Sequence, residues 1–364
     1  MPRLPGEGSI YQRSDGRWCA AIQVAGRRHL AYAKTRQAAL LKLDELRQTK
    51  RLDRLIEPSK LTLGAYLTDW LDQTTANLRP STAGNYSDVI RCHIIPELGH
   101  IRLQVLKPLH LVRLYADRSK TLSPARVQKI HRVIHKALAD AVKWHLLAVN
   151  PAASVATPTA EAPNLPSWTL AQIHQFMASV RPCTRRWDAL WIVLIGSGCR
   201  LGEALGLTWD AVDWAAGSLS IHRSITQVHG THHESRPKTL AGTRLIALPA
   251  FALEALLRHR DRLNDSSPDT RIFLSQAGKT PTRPPLLKIF HTACRVAGVP
   301  ELRIHDLRGI HATLLIYGQT DIKTAQRRLG HASSRMTLDR YAKALAAGDV
   351  AAAAALDRLI RSPD

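Results

Sequence analysis

The sequence predicts a multidomain α+β fold. Three observations carry that expectation. At 364 residues the chain is long enough for two or three domains. Strand signals are confined to residues 8–33 and 218–249, and helical periodicity fills most of the rest. Two stretches without periodicity, "EPSK" (57–60) and the three-proline "TPTAEAPNLPS" (157–167), read as linkers. The expected parts are a three-stranded sheet plus helix at 1–56, an all-helical domain at 61–157, and a mainly helical domain with a small antiparallel sheet at 165–345. A tail helix follows at 346–364.

The elements follow in order. "GSIYQR" and "WCAAIQV" flank "SDGR", whose Asp-Gly pair is a hairpin signal. "AG" turns the chain again into "RRHLAYA", and Thr35 can cap the helix "RQAALLKLDELRQTK". "LTLGAYLTDWLDQT" has helical periodicity. "STAGNYSDVIRCHI" begins at a capping serine and is expected to stop before Pro96, and "PLHLVRLYADR" carries proline in its first turn. The long helix "SPARVQKIHRVIHKALADAVKWHLL" gathers Arg126, Lys129, Arg132 and Lys136 on one basic face. Beyond the second linker, "WTLAQIHQFMASV" and "DALWIVLIG" are helical. The run "ALWIVLIGSG" is far too short to span a bilayer and reads as a buried helix. "SLSIHRSIT" and "TRLIALP" are strands around a polar loop, and helices return from 250.

Composition narrows the function. Lys and Arg number 51 against 29 acids, a net charge of +22, with a pI near 10.4. Such a charge implies a polyanionic partner. Nucleic acid is the leading one and a membrane surface the rival. Residues 1–60 hold 13 basic and 6 acidic residues, so 13 − 6 gives +7. Arg13, Arg17, Arg27 and Arg28 lie in or beside the turns of the small sheet, where they can reach phosphates and base edges. The five cysteines (19, 92, 183, 199 and 294) are scattered and form no C-x-x-C pair, which argues for a reducing cytosol and against a disulfide framework or a zinc ribbon. "MPRLPGEGSI" has no apolar core of a secretory signal.

Five places could carry chemistry. In "GSGCRLGEALGL", Arg200 follows a buried helix and two glycines, with Glu203 one turn on. Lys238 sits in a turn leading into a strand. In "RIHDLRGIHATLL", His305 and Arg308 are three apart, so that on one helix both can face one point. His331 follows a helix ending at Gly330, and Tyr341 stands ten residues later among charged neighbours. Two arginines can clamp a phosphodiester's non-bridging oxygens. A tyrosine can attack phosphorus if its proton is accepted, and a lysine can protonate a leaving oxygen. The guanidiniums can do the electrostatic work that magnesium does elsewhere, so the set calls for neither metal nor cofactor. The histidines of "VHGTHHE" (228–234) fall in the polar β-loop and could suggest metal binding, a reading not favoured here.

The order Arg200, Lys238, His305-x-x-Arg308, His331, Tyr341 resembles the tyrosine recombinases, the phage-integrase family. "GCRLGEALGLTWDAVD", "HDLRGIHATLLIYG" and "RRLGHASSRMTLDRYAKAL" look like its signature segments. The resemblance implies an arm-type DNA-binding module at 1–56, a core-binding domain at 61–157 and a catalytic domain at 165–345. It implies that Arg200 and Arg308 hold the scissile phosphate, Tyr341 attacks it, Lys238 is the general acid and His305 assists proton transfer. His331 would hydrogen-bond the phosphate, and Glu203 would support Arg200. A homotetramer on two DNA sites is the implied assembly, with a tail docking in trans at 348–360 and room for an accessory DNA-bending or directionality factor. The implied setting is the cytoplasm of a bacterial host, on the nucleoid. The alternatives are a non-enzymatic DNA-binding protein of the same fold and a dimer resolvase or type IB topoisomerase. One departure is visible: Gly309 stands where the family usually has another histidine, with His311 two residues on.

Overall fold

A computed structural model of the chain describes residues 8–24, 27–51, 58–159, 167–183, 186–235, 243–263 and 266–330. Lys238, His331, Tyr341, most of the second linker and the tail lie outside these residues. The chain divides into two compact units, residues 1–162 and 163–364.

The first unit opens with β1 (Ser9–Gln12), β2 (Trp18–Val24) and β3 (Arg27–Ala33), an antiparallel sheet in that order. Gly16, at φ 81°, supplies the left-handed residue of the first turn. The pairings Tyr11–Cys19 and Cys19–Tyr32 put those three residues on one face. The opposite face buries Ala20 and Ile22 against Leu43 of helix α1 (Arg36–Arg51). Thr35 Oγ1 accepts from the Ala38 N–H at 3.2 Å, the cap expected for α1.

Helices α2 (Leu63–Thr75), α3 (Pro80–Val89), α4 (Ile95–Leu98), α5 (Pro108–Ser119) and α6 (Pro124–Lys143) complete this unit. Their apolar stripes bury Leu67, Trp70, Ile90, Leu111, Ile130 and Ile134 in one core. Trp70 Nε1–H donates to Asp140 at 3.0 Å, so the ring is buried without orphaning its donor. α3 starts at Pro80, one residue before the expected capping serine. Nor does the chain leave the helix before Pro96. A π turn at Ile90–Ile94 joins α3 to α4, with the Ile95 N–H reaching back five residues to Ile90 O. That wider turn loosens the ladder just upstream of the proline, which an unbroken α-helix would not accommodate.

The second unit is mainly helical: α7 (Leu170–Cys183), α8 (Asp188–Ser197), α9 (Leu201–Leu205), α10 (Ala250–Asp261), α11 (Arg283–Val296), α12 (Leu307–Tyr317) and α13 (Ile322–Leu329). β4 (Val212–Asp213), β5 (Ser218–Ile221) and β8 (Arg244–Ala247) form one antiparallel sheet. β6 (Ser224–Val228) and β7 (Thr231–Ser235) form a separate hairpin. Every residue of α8 is buried, as its all-round apolar sequence predicts. Trp168, Phe176, Trp191 and Phe290 build an aromatic cluster in the same core. Within the polar stretch expected as loop, Thr231–Ser235 is strand, and residues 236–242 lie outside the described ones. His229 and Gly230 both have positive φ (46° and 83°), the backbone a two-residue hairpin turn requires.

Candidate active site

α8 sets the floor of the site. It ends at Gly198, whose φ of 65° turns the chain left-handed. A Cβ there would sit 2.3 Å from the His311 ring, so glycine is also demanded by space. The chain then reaches Arg200, the extended residue that starts α9. Its backbone N–H donates to Glu203 Oε2 at 2.9 Å and its guanidinium to Glu203 Oε1 at 2.7 Å. Glu203 is 3% exposed. The carboxylate thus holds Arg200 by two hydrogen bonds, one to its backbone and one to its guanidinium.

A second arginine meets the same carboxylate. Arg244 of β8 donates to Glu203 Oε2 at 2.9 Å and its side chain is only 4% exposed. Burial works against the Glu203 carboxylate, but the Arg244 hydrogen bond and charge, then Arg200, hold its pKa below the usual range. Arg244 was not singled out from the sequence. The available signal is its phase in β8, where Arg244 and Ile246 are buried while Leu245 is 68% exposed. An arginine on the core side of a strand is worth attention because an unpaired buried charge is costly.

Arg308 lies in the first turn of α12 and is buried. It donates to Gly198 O at 2.8 Å and to Leu329 O. Burial, then the facing charge of Arg200, brings its pKa down to about 9, still well above neutrality. His305 is not on the same helix. It sits in the short turn Ile304–Asp306, exposed at a cleft of about 590 Å³ that Arg200 also lines. Arg303 closes that turn with a bidentate bond to the buried Asp306, at 2.9 and 2.8 Å. His311 Nδ1–H donates to Ile195 O at 2.7 Å, so this histidine ties α12 to α8 beside the carbonyl that holds Arg308. Burial pushes its pKa down to about 4.

Three arginines converge on the end of α13. Arg244 Nε donates to Arg328 O at 2.7 Å, Arg308 to Leu329 O, and Arg200 to Gly330 O at 3.4 Å. Gly330 itself is left-handed, at φ 62°, and His331 follows it in the chain. Cations suit these carbonyls, since the C-terminal end of a helix carries partial negative charge.

The sequence profile of the phage integrase family matches residues 166–347, and that of the phage integrase N-terminal SAM-like domain matches residues 62–117. The chain belongs to the phage integrase family. Among relatives of this family member, a XerC-like tyrosine recombinase of Caldanaerobacter subterraneus subsp. tengcongensis is 26% identical over 343 residues, covering 85% of this chain and 86% of that protein. The ICEBs1 integrase of Bacillus subtilis is 24% identical over 322 residues, with 85% and 86% covered. In fold, the chain is similar to the Tn1549 transposon integrase solved with a circular intermediate DNA (TM-score 0.69, 18% identity, 77% of this chain and 95% of that one). It is also similar to the lambda integrase solved as a tetramer on a Holliday junction (TM-score 0.61, 17% identity, 92% and 97%).

The candidate DNA-contact residues of this phage-integrase-family chain are spread over its first unit. Arg13 and Arg17 flank Asp15 and stand 5.1 and 5.7 Å from the Tyr32 ring centre, and Arg28 stands 5.3 Å from that of Tyr11. These stacks hold the guanidiniums over the outward face of the sheet. Arg27 is in β3, with its side chain outside the described ones. On α6, Arg126 and Arg132 are exposed. Lys129 donates to Asn85 Oδ1 at 2.7 Å and Lys136 to Asp140 at 3.1 Å, so part of that basic face is engaged within the protein. Among the described residues no helix is long and apolar enough to cross a membrane.

Proposed function

We propose that this chain is a site-specific DNA integrase that cuts and rejoins strands through a covalent tyrosine link, integrating or excising a mobile element. The observation that carries the reading is the convergence of Arg200 and Arg308 on the end of α13, immediately before His331, which stands ten residues ahead of Tyr341. Arg200 and Arg308 bind the non-bridging oxygens of the scissile phosphate. The Tyr341 oxygen forms a bond to phosphorus while the bond to the 5′-oxygen breaks, giving a 3′-phosphotyrosine. Lys238 delivers the proton that the 5′-oxygen needs, His305 assists the tyrosine's proton transfer, and His331 hydrogen-bonds the phosphate. Because the phosphoester bond is conserved in the protein–DNA link, a second 5′-hydroxyl can reverse the step without ATP.

In this reading residues 165–345 catalyse, 61–157 grip core-type sites and 1–56 read arm-type sites. Four copies assemble on two DNA sites in a bacterial cytoplasm, the tail at 348–360 docks on a neighbour, and an accessory DNA-bending or directionality factor is an admissible partner. The test is a nicked suicide substrate resolved on a denaturing gel. Wild-type protein is expected to form a covalent adduct, and Tyr341→Phe to bind the same DNA without forming one. An adduct from the Phe variant would place the nucleophile elsewhere.

A further inference from the structure

We infer that Arg244 is a positioning residue of the recombination site: it fixes Glu203 as the anchor of Arg200 and pins the end of α13 to that anchor. The inference rests on Arg200 being a phosphate-binding residue. Three features of the geometry point to it. The Arg244 fork is divided between two tasks, one nitrogen 2.9 Å from Glu203 Oε2 and Nε 2.7 Å from Arg328 O. Both charged partners are almost completely buried, at 4% and 3%. The other Glu203 oxygen accepts from the Arg200 guanidinium at 2.7 Å and more weakly from a second Arg244 nitrogen at 3.4 Å, and the Arg200 side chain is 42% exposed beside the cleft.

The arrangement forms a relay. Arg244 sets where Glu203 lies, and Glu203 sets where the Arg200 guanidinium points. Through Arg328 O, the same residue sets where the chain leaves α13 toward His331. A methionine would fill the space, but it would leave Glu203 buried with only Arg200 as a strong partner. Losing one member of a buried ion pair is costly because the remaining charge is stranded. The carboxyl escapes that cost by taking a proton, and a protonated Glu203 no longer anchors Arg200 as an ion pair. The charged or titratable groups facing Glu203 are Arg200 from the start of α9, Arg244 from β8, Arg308 from α12 and the Cys199 thiol. Burial pushes that thiol up to about 11, so it stays neutral in the range where the effect would appear.

The experiment is single-turnover cleavage of the nicked substrate by full-length protein, followed from about pH 5.5 to 8.5 with DNA affinity measured alongside. Arg244→Met is expected to show a new loss of cleavage on the acid side that wild type lacks, with DNA affinity changed less than the rate. In the double variant Glu203→Gln/Arg244→Met there is no carboxyl to protonate, so the new acid limb should vanish even though the rate stays low. Arg244→Lys keeps a charge but cannot serve both Glu203 and Arg328 O. It should cleave more slowly than wild type with no new acid limb, and it supplies the answer if Arg244→Met does not fold. A uniform loss in Arg244→Met with the wild-type pH dependence would reduce Arg244 to a structural residue. An acid limb that persists in the double variant would locate the titrating group elsewhere, and wild-type rates in Arg244→Lys would dismiss the fork. Failure of the underlying reading shows separately on the same gel, as no adduct from wild type or an adduct from Tyr341→Phe.

Discussion

His311 illustrates what burial does to one side chain. Its folded pKa, about 4, lies below its ordinary 6.5. The unfolded chain therefore takes up the proton first as pH falls. Stability is full above about pH 6.5 and declines as pH drops toward 4, by on the order of 3 kcal/mol for this group alone. His311→Asn can still donate to Ile195 O and has no proton to gain. It should flatten that part of the pH dependence, measured as the denaturant midpoint of the second unit. Lys238 can be tested apart from its neighbours. As general acid, Lys238→Ala should lose roughly 10²–10⁴-fold in cleavage, and a 5′-bridging phosphorothioate, whose leaving sulfur needs no proton, should restore most of it. No rescue would make Lys238 a DNA-binding residue. At this scale the sequence was informative wherever residue type alone limits the chemistry. Arg200, Glu203 and Arg308 were singled out there, and the structure brings them together near the end of α13. Arg244 was not, because an arginine in a short strand looks like surface until the partner strand shows which way it points.

Elements carry a different kind of information. α8 could be recognised because a helix apolar on every side has only one place to go. Its end lies at Gly198, beyond the "DALWIVLIG" expected as helix, and the reason for glycine there was not visible. The His311 ring comes from more than a hundred residues later. Gly198→Ala should destabilise the second unit by more than about 1 kcal/mol, through a strained φ and a collision. It should also lower cleavage, since Gly198 O holds Arg308. Thermal unfolding and the adduct assay would read the two effects. Elsewhere local signals misled. Pro96 is normally a helix breaker, and the π turn that accommodates it depends on a backbone bond from Ile95 to Ile90 that no residue pattern announces. The β6–β7 hairpin was hidden because His232, His233 and Glu234 show no apolar alternation. The spacing of His305 and Arg308 suggested one helix, yet a separate turn held by Arg303 and Asp306 lies under the histidine.

For the whole molecule, the charge of +22 is the broadest statement the sequence makes, and much of its use is expected in the first unit. If residues 1–56 read separate sites, a fragment beginning near residue 58 should still bind and cleave core-site DNA. It should lose footprints on outlying repeats and lose recombination of full-length sites. Removing about four phosphate contacts should also flatten the salt dependence of binding, by roughly 0.9 log units per contact. Normal recombination with an unchanged salt slope would rule out a DNA-reading role for the module.

The arginine cluster at the end of α13 also has a history in time. The guanidiniums of residues 200, 244 and 308 are synthesised before the carbonyls of residues 328–330 that receive them, in the first case 130 residues before. A growing chain that has completed α8, the sheet and even α12 still holds three cations without these acceptors. Formation of the described site thus waits for nearly the last described turn of the protein. A product stopped upstream of residue 328 lacks more than Tyr341, because Arg200, Arg244 and Arg308 keep their bonds to Glu203 and Gly198 O but never receive the carbonyls that draw them together at the end of α13.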